Sequence, residues 1–240
     1  MRALKTAAIV VFLLAFTKFT GAQFVGSHVS DGFHDKSMLH PPAGSKVAII
    51  VFEDLGCPGC AAAHPIELKA AAQYHVPIVR YDFPLAAHVW TFNGAVCARY
   101  LQDKVDPRLA DQYRTDVFAA QRFIENKGDL IQFTRRWMQQ HGHPMPFVLD
   151  PNGSLAAEVK ADYQLGLRLN VNQTPTIVVV TQNNYQLVCG TDALQDPNRL
   201  FPILKAAIAQ ANESPKSSSF RKAIRSRQQC RACSGMLNPP

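Results

Sequence analysis

The chain has 240 residues, 47% of them hydrophobic and 18% charged, which is enough apolar content to bury a core and too much for a chain disordered throughout. Its net charge of +7 belongs to the ends: residues 1–22 and 215–240 hold nine basic and no acidic residues, leaving 16 basic and 18 acidic residues between them. That middle carries no electrostatic footprint for nucleic acid, and six cysteines in a chain of this size are too few for a disulfide-stapled scaffold.

Arg2 and Lys5 precede an apolar run from Ala7 to Phe16, and small residues follow at Thr20, Gly21 and Ala22. This is the pattern of a secretory signal peptide over residues 1–22, cleaved after Ala22. The run falls short of the roughly 20 residues that span a bilayer, which weighs against an uncleaved anchor. Export places the cysteines in a disulfide-permitting compartment, periplasmic or otherwise extracytoplasmic. Residues 23–44, with Gly, Ser, His, Asp and two prolines, read as a loose leader.

Val47 to Phe52 is an unbroken apolar, largely β-branched run, as expected of a strand buried on both faces. Cys57-Pro58-Gly59-Cys60 follows, and then an Ala-rich helical stretch to Tyr74, with Pro65 inside it as an expected kink. Val76 to Phe83 reads as a second strand. From about residue 89 to 169 the pattern turns helical, with segments near 92–102, 108–123, 128–140 and 153–168 separated by turn signals such as Asp106-Pro107 and Asp150-Pro151-Asn152-Gly153. Thr176 to Thr181 and Tyr185 to Cys189 form an expected hairpin around Asn183-Asn184, and Pro197 to Ala211 an amphipathic helix. The first strand, helix and strand imply a parallel pair. Residues 215–240, Ser-rich and basic, read as a disordered tail carrying a second C-x-x-C, Cys230 to Cys233.

The chemistry concentrates at Cys57 and Cys60. A thiol attacks as its thiolate, and free cysteine has a pKa of about 8.5. Here the first cysteine ends a strand and enters a helix whose first turn suits Pro58, so free N–H groups and the positive dipole end favour the Cys57 thiolate. Cys60, one turn on, is placed to resolve a mixed disulfide. Two other readings stay open: half a zinc site with Cys230 and Cys233, and a purely structural disulfide. The 169 residues between the pairs, against about 15–20 in zinc ribbons, weigh against zinc. Strand-to-helix placement weighs against an inert disulfide. Cys230 and Cys233, set among arginines, form a possible second dithiol passing electrons to or from the first pair, or an exposed pair with no role. Cys97 and Cys189, among apolar neighbours, read as small core residues rather than a second disulfide. His64 and His88 read as packing or hydrogen-bonding residues.

The run VAIIVFEDLGCPGC from Val47 to Cys60 resembles the active-site strand and turn of the DsbA-like branch of the thioredoxin superfamily. Pro65 matches the kinking proline of the active-site helix, Asn172-Gln-Thr-Pro-Thr-Ile177 the cis-proline loop, and Tyr81 to Leu85 with His88 the approach to a helical insertion. The similarity covers roughly residues 45–212. It implies an α/β thioredoxin-like fold over 45–214, with a helical insertion between the second and third core strands. It further implies an exported dithiol oxidoreductase with Cys57 as nucleophile and Cys60 as resolving thiol. Pro175 would be cis against the pair, and the Thr174 backbone would hold an extended substrate segment. Glu53 or Asp54 is a candidate to move protons, Asp54 matching an acid of related exported oxidoreductases; the other reading of Asp54 is a turn cap alone. Gly59 stands where DsbA carries a histidine, which implies a weaker oxidant because no imidazolium supports the thiolate. The implied partners are cysteine-containing exported or unfolded proteins and a membrane redox partner, either a quinone-linked oxidase or a thiol donor. The expected state is monomeric, without metal or organic cofactor, since thiol exchange requires none. The rival reading is a non-catalytic peptide-binding or chaperone module that uses the cis-proline groove, against which the intact pair argues.

Overall fold

A computed structural model describes residues 38–190 and 196–213. The expected signal peptide, most of the expected leader and the tail with Cys230 and Cys233 lie outside the described residues.

The first strand, β1 (Val47–Glu53), is buried along its whole length. Its apolar residues alternate between two cores, as a period of two requires. Val47, Ile49 and Val51 pack in one cluster with Ala63 and Ala70 of α1 (Pro58–Tyr74) and Leu200, Leu204 and Ala207 of α6 (Leu200–Glu213). Ala48, Ile50 and Phe52 pack in another with Leu165 and Leu169, at the end of α5 (Ser154–Arg168), and with Leu39 from the leader.

β2 (Ile78–Asp82) runs parallel to β1, whereas β3 (Thr176–Thr181) pairs with it antiparallel and β4 (Tyr185–Cys189) pairs antiparallel with β3. The sheet order is β2-β1-β3-β4. Between β2 and β3 lie α2 (Thr91–Lys104), α3 (Pro107–Ala120), α4 (Lys127–Gln140) and α5, which together make the helical insertion. Turn residues set its boundaries: Asp106 caps α3, accepting from the Arg108 amide, and Asn126 caps α4, accepting from Gly128 and Asp129. The last helical stretch opens as a short 3-10 turn over Pro197–Arg199.

The insertion has its own core of Ala98, Leu101, Tyr113, Val117, Leu130, Trp137 and Met138, and Leu55, Cys57 and Cys60 belong to the same cluster. The turn that carries Cys57 and Cys60 is therefore packed against the insertion as well as the sheet. One close approach sets the fit: a Cβ at Gly166 of α5 would lie 2.5 Å from Phe83 Cε2.

Candidate active site

Cys57 is the N-cap of α1, with extended backbone, and Pro58 follows in the first turn. β1 ends four residues earlier, and a turn closed by the Cys57 amide on the Asp54 carbonyl at 3.0 Å carries the chain into the helix. Gly56 is required in that turn: a Cβ there would meet Thr91 Cγ2 at 2.7 Å and His88 Cγ at 3.0 Å. From the insertion, Gln121 reaches over the turn, its Nε2 donating to the carbonyls of Leu55 and Cys57 at 3.4 Å each.

The two thiols occupy opposite electrostatic situations. Cys57 has its pKa lowered to about 5; donation from the Cys60 thiol is the largest cause, burial opposes it, and the Gly59 and Cys60 amides at the helix start reinforce it. Cys60 is 2% exposed, and its pKa is raised well above the usual thiol value, first by burial, then by donating to Cys57, with the charge of Glu53 adding to the rise. The Asp54 amide donates to Cys60 Sγ at 3.5 Å. Both sulfurs are in the dithiol form.

The loop before β3 closes over the pair. The Thr174–Pro175 peptide bond is cis, and Cys57 Sγ donates to the Thr174 carbonyl at 3.2 Å. A Cβ at Gly59 would lie 3.1 Å from Pro175 Cδ and 3.6 Å from Cys57 Sγ, so position 59 adjoins both the loop and Cys57. Gln173 Nε2 is buried without a hydrogen-bond partner among the described residues, and the Thr174 hydroxyl beside Cys57 helps to lower its pKa.

Glu53 and Asp54 point to different neighbours. Asp54 organises the turn and the chain after β2: its Oδ1 accepts from the Gly56 amide at 2.7 Å, and its Oδ2 from the Leu85 amide at 2.5 Å, His88 Nδ1 at 3.0 Å and Thr91 Oγ1 at 3.4 Å. Glu53 belongs to a buried chain of charges. Arg80 Nη1 donates to Glu53 Oε2 at 2.6 Å and to Glu67 Oε2 at 3.2 Å. Arg114 Nη1 donates to Glu53 Oε1 at 3.0 Å and Asp82 Oδ1 at 2.8 Å. Arg99 Nε continues to Asp82 Oδ2 at 2.8 Å, and its Nη2 to Asp162.

Glu53, His64 and Glu67 bring one oxygen or nitrogen each within 4.8 Å of one another, but the cation seated between the two carboxylates is the Arg80 guanidinium. A metal would have to displace it. His64 instead uses Nε2 with Thr115 Oγ1 at 2.8 Å and packs on Phe118; burial lowers its pKa to about 4, so the ring is neutral. Pro65 lies inside α1, which continues through it. Cys97 and Cys189 are thiols in separate core clusters. Burial drives the Cys97 thiol up to about 11.

The sequence reading did not single out Glu67, Arg80, Arg114 or Gln121. One signal was present. Cys60, His64 and Glu67 stand at i, i+4 and i+7, so an acid shares the helix face of Cys60.

Comparison with known proteins follows the same lines. The thioredoxin family model matches residues 42–195. Among curated proteins none matches the sequence. BdbD of Bacillus subtilis, in its oxidised form, superposes with a TM-score of 0.56 at 16% identity, covering 74% of this chain and 94% of its own. α-DsbA1 of Wolbachia pipientis gives 0.55 at 12%, covering 72% and 90%. DsbA2 of Pseudomonas aeruginosa gives 0.51 at 17%, covering 74% and 95%. These likenesses extend to the helical insertion, and with the family match they lead to one conclusion: the chain belongs to the thioredoxin family and has the fold of its DsbA-like members.

Proposed function

We propose that the protein is an exported thiol–disulfide oxidoreductase acting on cysteine-containing proteins, with Cys57 as the attacking and Cys60 as the resolving sulfur. The observation that carries this reading is the asymmetry of the pair: a nucleophile at a helix N-terminus with its pKa lowered to about 5, beside a buried thiol whose pKa is raised. The family match and the DsbA and BdbD neighbours support the same chemistry.

In the reducing direction, the Cys57 thiolate attacks a substrate disulfide. A Cys57–substrate disulfide forms and one substrate thiolate leaves. Cys60 then loses its proton and attacks Cys57 Sγ, so the second substrate sulfur leaves and the Cys57–Cys60 disulfide remains. Oxidation of a dithiol substrate is the reverse sequence. A stabilised Cys57 thiolate favours the reduced enzyme, which makes the oxidised enzyme a donor of disulfides. The Thr174 backbone, bonded to Cys57, would lie beside the substrate segment, with Pro175 against the pair. Of the two acids considered for proton movement, Glu53 is the better candidate, because its charge acts on Cys60 whereas the Asp54 carboxylate serves the turn and the 85–91 segment. The partners in this reading are exported or unfolded proteins and a membrane redox partner that resets the pair.

The test is trapping. Cys60→Ser should accumulate a mixed disulfide between Cys57 and a reduced, unfolded protein substrate after oxidation with a small aromatic disulfide, and Cys57→Ser should accumulate none. Equal behaviour of the two variants would sink the assignment, and an unreactive pair would favour a peptide-binding module.

A further inference from the structure

The buried ion pairs beneath the active site form a chain of alternating charge, Glu67, Arg80, Glu53, Arg114, Asp82, Arg99 and Asp162, with the exposed Asp111 as a side contact of Arg80 at 3.7 Å. It holds four carboxylates and three guanidiniums. Each interior carboxylate, Glu53 and Asp82, touches two arginines, whereas each terminal one touches only one. Burying unbalanced charge is costly, and a carboxyl group answers by keeping its proton. The charge count therefore favours a proton on the buried chain, and the pairing favours an end.

The two ends differ in depth. Asp162 has a side chain 14% exposed, whereas that of Glu67 is 1% exposed. Their pKa values rise accordingly, Asp162 to about 6 and Glu67 to about 7, each chiefly through burial. The surroundings of Glu67 also ask for a donor. Thr115 Oγ1 donates to the Asp111 carbonyl at 2.9 Å, so it accepts from His64 Nε2 and leaves His64 Nδ1 a bare acceptor, buried without a partner among the described residues. Arg80 Nη2 is also buried and unpartnered, but as a donor it calls for an acceptor, so of these two groups only His64 Nδ1 favours a proton on Glu67. A protonated Glu67 offers a donor there; an ionised one offers none.

We propose that Glu67 is the seat of an exchangeable proton in this buried chain and that its ionisation sets how readily Cys60 loses its own proton. Glu67 is a positioning residue and touches neither sulfur. It acts through Arg80, whose Nη1 it shares with Glu53, the carboxylate whose charge opposes ionisation of Cys60. When Glu67 is protonated, Arg80 serves Glu53 alone and the field on Cys60 weakens; when Glu67 ionises, the field strengthens. The other groups facing Glu67 are His64 on its own helix, Arg80 on β2 with the exposed Asp111 of α3 3.7 Å from its Nε, and Cys189 on β4, whose pKa the Glu67 charge raises in second place after burial. The seven helical residues from Cys60 to Glu67 rise about 10 Å. At an effective dielectric near 20, one charge at that range changes a thiolate fraction by roughly tenfold.

This inference rests on the oxidoreductase reading for its use, but its test separates the two. In the full-length reduced protein, labelled with 13C at the Glu carboxyl and Cys β positions, the Glu67 carboxyl signal should titrate near neutral pH. In Glu67→Gln the Cys60 midpoint should fall by about one pH unit, the tenfold gain in thiolate given above; Glu67→Asp, which keeps the charge, should leave it near its original position. Titration of Glu67 in the ordinary carboxylate range would overturn the proposal, as would an unmoved Cys60 midpoint in Glu67→Gln. If Glu67→Gln fails to fold, the carboxyl titration in the unaltered chain still decides where the proton sits. Reversible closure of the Cys57–Cys60 disulfide in glutathione buffer is recorded on the same sample, and its absence would remove the oxidoreductase reading while leaving the titration result intact.

Discussion

Cys57 Sγ lies 3.2 Å from the carbonyl oxygen of Thr174, the residue on the near side of the cis bond to Pro175. The two residues are 117 positions apart in the chain. The sheet joins them, because β1 delivers Cys57 and β3 begins immediately after Pro175, and the two strands pair antiparallel with Phe52 opposite Thr176. Cys57 is thus held by a helix start on one side and an extended backbone segment on the other.

The ionisation of Cys57 should be visible directly. Thiolate absorbance of the reduced protein should rise with a midpoint at about pH 5 and vanish in Cys57→Ser. The sign for stability follows from linkage. The folded pKa lies below that of the unfolded thiol, so the unfolded chain binds more protons between them. Stabilisation of the reduced form is therefore complete above the unfolded value near pH 9 and is lost as pH falls to about 5. The oxidised form has no such thiolate, so its stability should lack this dependence. A reduced protein with an unshifted Cys57 would contradict the site geometry.

Position 59 should tune that midpoint. A side chain there would sit between Pro175 and Cys57. In Gly59→His an imidazolium beside the sulfur should lower the Cys57 midpoint and make the pair more oxidising. Gly59→Ala introduces the same crowding, with Pro175 Cδ 3.1 Å from the new Cβ, but no charge. Thiolate titration of both variants separates the effects; equal midpoints would mean that charge at this position does not reach the sulfur.

Arg114 should be among the least replaceable residues. Its side chain is 2% exposed and binds both Glu53 and Asp82. Arg114→Met leaves two buried carboxylates short of a partner, and removing one member of a buried ion pair costs about 3–5 kcal/mol. Urea unfolding at pH 7 measures this. A loss below about 1 kcal/mol, the size typical of surface pairs, would mean that water reaches the chain of charges.

Gly166→Ala should destabilise the protein although alanine is the better helix former by about 1 kcal/mol. The added methyl group would meet Phe83 at 2.5 Å, at the contact that docks α5 beside the end of β2, and overpacking of this kind costs about 1–3 kcal/mol. A rise in unfolding midpoint would show that Phe83 moves aside freely.

The order of elements was readable from the sequence because its signals are local. β3 and β4 run over the residues where apolar and β-branched runs stand, and α3, α4 and α5 of the insertion begin at Asp-Pro, Asn-Lys-Gly and Pro-Asn-Gly turns. The C-x-x-C at a strand-to-helix junction was readable for the same reason. The chain of charges was not, because its members come from β1, α1, β2, α2, α3 and α5 and meet only through the tertiary fold. An arginine in a strand or a glutamate in an Ala-rich helix reads as a solvated side chain until its neighbours are known. Leu39 shows the same limit: it lies in a stretch whose composition suggests loose chain, yet it is 5% exposed in the core.

The central claim is that Cys57 and Cys60 form a reversible couple poised by a stabilised Cys57 thiolate. Its most direct measurement is the reduction potential of the protein without residues 1–22, with Cys230 and Cys233 changed to Ala, in glutathione buffers at pH 7. With the Cys57 pKa lowered to about 5, between the values of about 7 for thioredoxin and 3.5 for DsbA, the account predicts a single two-electron transition between about −270 and −120 mV. A potential at or below about −270 mV would contradict the thiolate argument, and a pair with no reversible transition would contradict the function itself.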